Sequence, residues 1–365
     1  MKSIQYILLS FLAIFLIACE SGIDPITAVD PGPDQSEPVI TINYPLEGTL
    51  IRVREDITSI NIQINASDDI ELASVTLSID GTSIGSYSDF KDYRRAVISH
   101  NFEALGNGQH TLTVTATDLS GKTSTKSVNF EKVTPYVPEY DGEIFYMPFD
   151  GDLLELVSIN SANMIGNSGF ASGKVQNAYA GALDSYLTFP TKDESNAIDL
   201  LSSEFSASFW YNLNSTPDRA GILVIGPVDS ANPTAMNNRN HGFRFFREGG
   251  PTNQTFKLNV GNGMSDSWFD GGAAATLNPE TVDWVHLAFT ISGTQCVVYF
   301  NGEIVSSGDF SGISWAGCDI LSIASGAPRF TGWDHFSDLS LIDELRLFNK
   351  ALTQAEIQAI IADSQ

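Results

Sequence analysis

The stretch from Arg239 to Gly272 gathers the residue types that recognise sugars. Arg239-Asn240-His241-Gly242-Phe243-Arg244-Phe245-Phe246-Arg247 concentrates positive charge in a chain whose formal net charge is −25, and Asn259, Asn262, Asp266 and Trp268 follow among glycines. Aromatic faces stack on sugar rings, while amide, carboxylate and guanidinium groups bond to hydroxyls. A polysaccharide is therefore the expected partner. If Phe243 to Arg247 is a strand, alternation puts Arg244 and Phe246 on one face and Phe243, Phe245 and Arg247 on the other. One of Arg244 and Arg247 is then expected to reach the open side of a sheet. Trp333-Asp334-His335, with Arg329 just before, forms a second candidate. Trp268, Trp315 and Trp333 lie beside Gly, Ser and Asp in expected loops, where each is either a ligand platform or an anchor for loop packing. Trp210 and Trp284 alternate with apolar neighbours and read as structural. The arginines favour an acidic glycan and the overall charge a neutral one, which leaves the ligand's charge open.

Other chemistry finds less support. Carboxylates that cleave glycans from one strand must stand two or four residues apart to face the same way. The one Glu-x-Asp-x-Glu spelling, Glu139-Tyr140-Asp141-Gly142-Glu143, runs out of the proline-containing linker through a glycine and does not read as a strand, and Asp343 and Glu344 are adjacent, so they point to opposite faces. The one G-x-S-x-G spelling, Gly81-Thr82-Ser83-Ile84-Gly85, follows the Asp80-Gly81 turn between expected strands and not a strand-to-helix elbow, and the five histidines include no metal-binding pair at helical spacing. Recognition without bond breaking is the expectation, with no catalytic residue and no required cofactor. A net charge of −25 also disfavours nucleic acid, because phosphates need an excess of Lys and Arg.

The elements that must position these groups read as strands throughout. A chain of 365 residues with 42% hydrophobic side chains suits two domains with proper cores. From 38 to 133, runs such as Ile60-Asn61-Ile62-Gln63-Ile64 alternate apolar and polar residues between turns such as Asp80-Gly81. About seven such strands predict a small β-sandwich. The run from Gly108 to Asp118, with Gly121, resembles the last hairpin of bacterial immunoglobulin-like modules, which implies a spacer. Within it, Asp68, Asp69 and Asp118 read as solvated turn carboxylates or as cation ligands.

A linker over 134–141 leads to a second β-domain, 142–365. Its landmarks run in order: Met147-Pro148-Phe149-Asp150-Gly151, Gly173-Lys174-Val175-Gln176-Asn177-Ala178, Phe205-Ser206-Ala207-Ser208-Phe209-Trp210, Trp284-Val285-His286-Leu287-Ala288-Phe289-Thr290, Val298-Tyr299-Phe300-Asn301-Gly302-Glu303, and the segment from Ile342 to Leu352. This series resembles the laminin-G-like, concanavalin A-like jelly roll. The resemblance implies an all-β chain, an immunoglobulin-like sandwich followed by a jelly roll. It also implies a structural calcium, for which Asp150 and Asp343 match family positions; the alternative is that both simply cap turns. Thr353 and Glu356 form a capping-box pattern before Ile357, Ile360 and Ile361, which predicts a short closing helix.

Met1 and Lys2 precede an apolar run from Ile7 to Ile17, which reads as a secretory signal too short to span a bilayer. Leu16-Ile17-Ala18-Cys19 resembles the bacterial lipobox. That implies removal of residues 1–18, lipid on Cys19, and contact with the membrane through the lipid alone. The acidic, proline-rich linker 19–37 is similar to the export signal of Bacteroidota surface lipoproteins, and implies an outer membrane lipoprotein exposed at the cell surface. Neighbouring glycan uptake proteins are then expected partners. Setting Cys19 aside leaves Cys296 and Cys318, expected on neighbouring antiparallel strands and joined by a disulfide; the alternative is two buried free thiols. Three functions follow in order: a glycan-binding surface lipoprotein, a protein-binding adhesin or structural surface protein, and a glycan-cleaving enzyme.

Overall fold

The computed structural model describes residues 32–192 and 197–364. The expected leader, 1–18, and Cys19 lie outside the described residues. The chain divides into two compact units, Met1–Ile51 with Ile57–Val133 and Arg52–Asp56 with Thr134–Gln365.

The first unit packs a three-stranded sheet (Val39–Tyr44, Thr58–Ser67, Arg95–Leu105) on a five-stranded one (Thr49–Ile51, Thr123–Lys132, Gly108–Asp118, Leu72–Ile79, Thr82–Tyr87). Period-2 alternation builds its core: Ile60, Ile62 and Ile64 point inward from one sheet to meet Val75, Leu77, Leu112 and Val114 from the other. The Asp80-Gly81 turn works because both residues hold positive φ, 50° and 78°. The result is an immunoglobulin-like sandwich.

The second unit is a two-sheet jelly roll. Its first sheet runs Asn163–Ile165, Tyr186–Pro190, Cys318–Ile323, Arg219–Pro227, Phe243–Gly250, Asn253–Gly261 and Asp266–Asp270. Its second runs Gly169–Ser172, Asn177–Ala180, Leu341–Phe348, Phe205–Asn212, Trp284–Ile291, Gln295–Phe300 and Glu303–Asp309. Between them Phe205, Phe209, Phe243, Phe245, Phe256 and Phe289 form a buried aromatic core with tilted and edge-on contacts. Asn301 and Gly302, both at positive φ, turn the hairpin between the last two strands.

Behind the second sheet lies the helix Gln354–Asp363, opened by a complete capping box between Thr353 and Glu356. It lays Ile357 and Ile360 on Ala288, Val297, Tyr299 and Phe348, so the outer face of that sheet is covered. Among the described residues no helix is long and apolar enough to cross a membrane.

The expected pairing of thiols is corrected here. Cys296 lies in the second sheet and Cys318 in the first, and both are free and buried in the core. The chain crosses to the other sheet between Glu303–Asp309 and Cys318–Ile323, so closeness in sequence did not make these two strands partners. Burial pushes the Cys318 thiol up to about 12 and that of Cys296 higher still, which keeps both in the unreactive form.

Candidate functional site

The first sheet turns one face to the core and leaves the other without a helix. Cross-strand register arranges its outward residues in rows. Phe246 opposes Lys257, which opposes Asp270; Arg244 opposes Asn259, which opposes Trp268; and Arg219 opposes Glu248. The inward set is Phe243, Phe245, Phe256, Leu258 and Phe269, all in the core. One register therefore separates an apolar face from a face rich in polar and aromatic groups.

Onto this outer face the segment between Ser325 and Ser337 folds back. Gly326 and His335 close it with a backbone bond, and Phe330, Phe246 and Val224 form a small apolar floor with Trp333 packed against it. Trp333 thereby stacks on Trp268, ring centroids 5.8 Å apart at 24°. The Arg239 guanidinium lies 4.5 Å from the Trp333 centroid and 5.7 Å from that of Trp268. Asp266 fixes that arginine at 3.1 Å and also accepts from Asn259 at 2.7 Å. Trp268 nevertheless remains 41% exposed.

Beside the two rings runs a groove of about 440 Å³ lined by Arg219, Phe246, Glu248, Lys257, Trp268, Asp270 and Trp333. Its charges cancel in pairs: Glu248 lies 2.8 Å from Lys257 and 3.2 Å from Arg219, and Lys257 lies 3.6 Å from Asp270. Burial opposes the charge on Glu248, but Lys257 and Arg219 outweigh it and hold that carboxyl below its usual range. His335 sits beneath the groove, fully buried between Phe246 and Phe330 and 3.3 Å from Glu248. Burial lowers its pKa to about 4, so the ring is neutral at pH 7.

Of the residues singled out in the sequence, Trp268 and Trp333 line the groove, and Asp266 reaches it through Arg239. The others do not contact it as expected. Neither Arg244 nor Arg247 reaches solvent. Arg244 is on the outer face but donates to the carbonyls of Asn238 and His241 under a covering loop. Arg247 points to the core face and pairs with Asp338 at 2.7 Å, with Tyr211, Gln254 and the Pro217 carbonyl completing its bonds. Trp315 packs against Phe205 and Phe243 and donates to the Ser202 carbonyl, so it is an anchor. Asn262 caps a turn through the amides of Met264 and Ser265. Arg329 is clamped by Asp319. His335 is under the surface rather than on it.

Sequence reasoning passed over Arg219, Glu248, Lys257 and Asp270. For three of them a signal existed: Glu248 is two residues beyond Phe246, Lys257 two before Asn259, and Asp270 two beyond Trp268, so each shares its neighbour's face. Arg219 had none, because only the pairing of distant strands brings it there.

The carboxylates expected to hold calcium both serve one loop. Asp343 Oδ2 accepts from the Val175 amide, and Asp150 accepts from the Asn177 amide and the Gln176 side chain. Only Asp343 Oδ1 is left buried without a partner, and desolvation raises that carboxyl to about 7. Both carboxylates thus hold the turn from Val175 to Asn177.

A second cavity of about 450 Å³ opens beside the closing helix, next to Tyr146, Trp210, Glu344 and Arg346. Its groups are engaged with one another. Arg346 is bound by Glu143, Glu344 and the Tyr136 hydroxyl, and Trp210 is buried, donates to Ser364 and lies under Lys174. The groove at Trp268 is the better candidate because its aromatic ring is open.

Residues 176–358 match the family model described as the concanavalin A-like lectin/glucanases superfamily, and residues 38–114 match that of the bacterial Ig domain. No curated protein matches the chain. Among solved structures it is similar to domain 4 of AbnA, an extracellular arabinanase from Geobacillus stearothermophilus, solved with arabinotriose. Identity there is 22%, coverage 60% of this chain and 97% of that one, and the TM-score 0.44. It is also similar to the binding domain of botulinum neurotoxin DC, solved with SialylT, at 13% identity, 62% and 52% coverage and a TM-score of 0.42. The binding domain of Paraclostridial Mosquitocidal Protein 1 gives 13%, 61%, 52% and 0.40.

Proposed function

The chain belongs to the concanavalin A-like lectin/glucanases superfamily, and on that premise we propose that its jelly roll is a non-catalytic receptor for a neutral polysaccharide, held in the groove at Trp268 and Trp333. The observation that carries this reading is the convergence of two tryptophans from distant segments beside an open polar groove. An exposed indole next to hydrogen-bonding groups offers a face to a sugar ring and donors and acceptors to its hydroxyls. Neutrality follows from the groove's charges, since Arg219 and Lys257 are met by Glu248 and Asp270 and no cation is left to attract an acidic sugar. The same pairing supports binding without cleavage in this groove. A glycosidase acid needs a raised pKa, and Glu248 is shifted the other way.

We also infer that lipid on Cys19 displays the chain at the outer membrane surface beside proteins that take up or degrade the glycan. The lipobox-like Leu16-Ile17-Ala18-Cys19 and the acidic linker support this placement. Replacing Cys19→Ala should release the chain from membranes into the soluble fraction; a variant that stays membrane-bound would count against acylation.

Isothermal titration against neutral, uronic and sulfated polysaccharides tests the receptor. A neutral glycan should bind, leave no cleavage products, and lose about 30-fold in affinity with Trp268→Ala, as for a central aromatic contact worth about 2 kcal/mol. Binding unchanged by that substitution would move the site elsewhere. No binding to any glycan would shift the reading to a protein-binding adhesin.

A further inference from the structure

We propose that the immunoglobulin-like unit carries a calcium site built from Asp34, Asp68 and Asp69, with Asp118 held beside it by the Lys122 amide. One carboxylate oxygen from each of Asp34, Asp68 and Asp69 lies within 4.8 Å of the others. Two oxygens on one calcium ion, each at 2.3–2.6 Å, stand at most about 5 Å apart, so this spacing is that of a shared coordination shell.

The buried oxygens point to a ligand independently of the clustering. Asp68 is 8% exposed; its Oδ2 accepts from the amides of Ile70 and Glu71, while Oδ1 is buried with no partner. Asp118 is 1% exposed; its Oδ1 accepts from the Ser120 hydroxyl and the Lys122 amide, while Oδ2 is likewise orphaned. A buried carboxylate oxygen without a donor is costly, and two of them at one end of a sandwich ask for a cation. Lys122 joins the two carboxylates, since its amide donates to Asp118 and its ammonium pairs with Asp34.

One cation of the chain already marks the place. The Lys122 ammonium lies 2.9 Å from Asp34 Oδ1 and donates to the carbonyls of Asp34 and Ser36. It neutralises one carboxylate of the three, which leaves two charges for a divalent ion, and it shows that backbone oxygens face the same space. Hard oxygen donors of mixed type in a partly open setting suit calcium better than magnesium, which demands a compact octahedron.

Calorimetric titration of the full chain with calcium chloride alone tests this. The expected result is one ion per chain with a Kd on the order of 10⁻⁴ to 10⁻³ M, as in extracellular modules, and much weaker binding of magnesium. Asp69 is exposed, so Asp69→Asn probes the site without disturbing the core; it should weaken binding by at least about tenfold, while Lys122→Met should retain or tighten it. Absence of calcium binding, binding unchanged in Asp69→Asn, or magnesium binding as tight as calcium would each overturn the proposal.

Discussion

The two outer faces of the jelly roll start from the same strand alternation and end differently. On one sheet Ala288, Val297, Tyr299 and Phe348 point outward, and a capped helix covers them. On the other the outward residues are Phe246, Glu248, Lys257, Trp268 and Asp270, and a loop covers only part of them. An apolar outer face requires a cover, whereas a polar and aromatic one remains available to a ligand. Loss of stability should therefore follow changes at the closed or buried layers, and loss of binding should follow changes at the open face.

The sharpest contrast is between arginines that the sequence sets close together. Arg247 and Asp338 form a fully buried pair, whereas Arg239 lies on the groove side with 29% of its side chain exposed. Removing one member of a buried pair strands the other, at a cost of about 3–5 kcal/mol. Arg247→Met should lower the jelly-roll unfolding temperature by roughly 10 °C, at about 2–4 °C per kcal/mol for a domain of this size. Arg239→Met should cost no more than about 1 kcal/mol, as for partly exposed pairs. Thermal unfolding of the two variants checks this, and equal losses would break the distinction between the layers.

This pair also shows where the sequence stops speaking. Two β-domains, the hairpin at Asn301-Gly302 and the capping box at Thr353 were legible because turn chemistry and periodicity are local. Trp268 and Trp333 stood out because large rings beside small polar residues need an explanation. The inward turn of Arg247 was half legible, since it shares parity with Phe243 and Phe245. Its partners Tyr211, Gln254 and Asp338 come from three separate segments, and no spacing announces them. The thiols failed for the same reason: adjacency in a sheet depends on pairing across the chain.

Acid should expose a smaller difference between the faces. Each hides a neutral histidine: His286 on the helix side bonds Ser208 and is held at about 3 by burial, and His335 under the groove is held at about 4 by burial against the pull of Glu248. A folded pKa below the unfolded value means that the unfolded chain takes up the proton first. Stability is then full above about pH 6.5 and falls as the pH drops toward 4. Chemical denaturation from pH 7 to pH 4 should show that decline, and His335→Phe should flatten part of it. The two rings differ from each other by about one pH unit, or about 1.4 kcal/mol, so the contrast between the faces in acid is smaller than that between Arg247 and Arg239. An unchanged profile in His335→Phe would show that folding leaves the ring's proton affinity where it is in the unfolded chain.

The smallest expected effect tests whether the helix is cover alone. The Thr353 side chain accepts from the Glu356 amide while the Glu356 carboxylate accepts from the Thr353 amide, satisfying two orphan donors at the helix start. Thr353→Ala removes half of that exchange and should cost about 1 kcal/mol. The helix packs behind the sheet opposite the groove, so affinity for a bound glycan should stay within about twofold of the parent. A drop in affinity matching that of Trp268→Ala would mean that the covered face, with its cavity beside Trp210 and Arg346, takes part in recognition. Unchanged affinity with lowered stability would assign the two outer faces separate tasks.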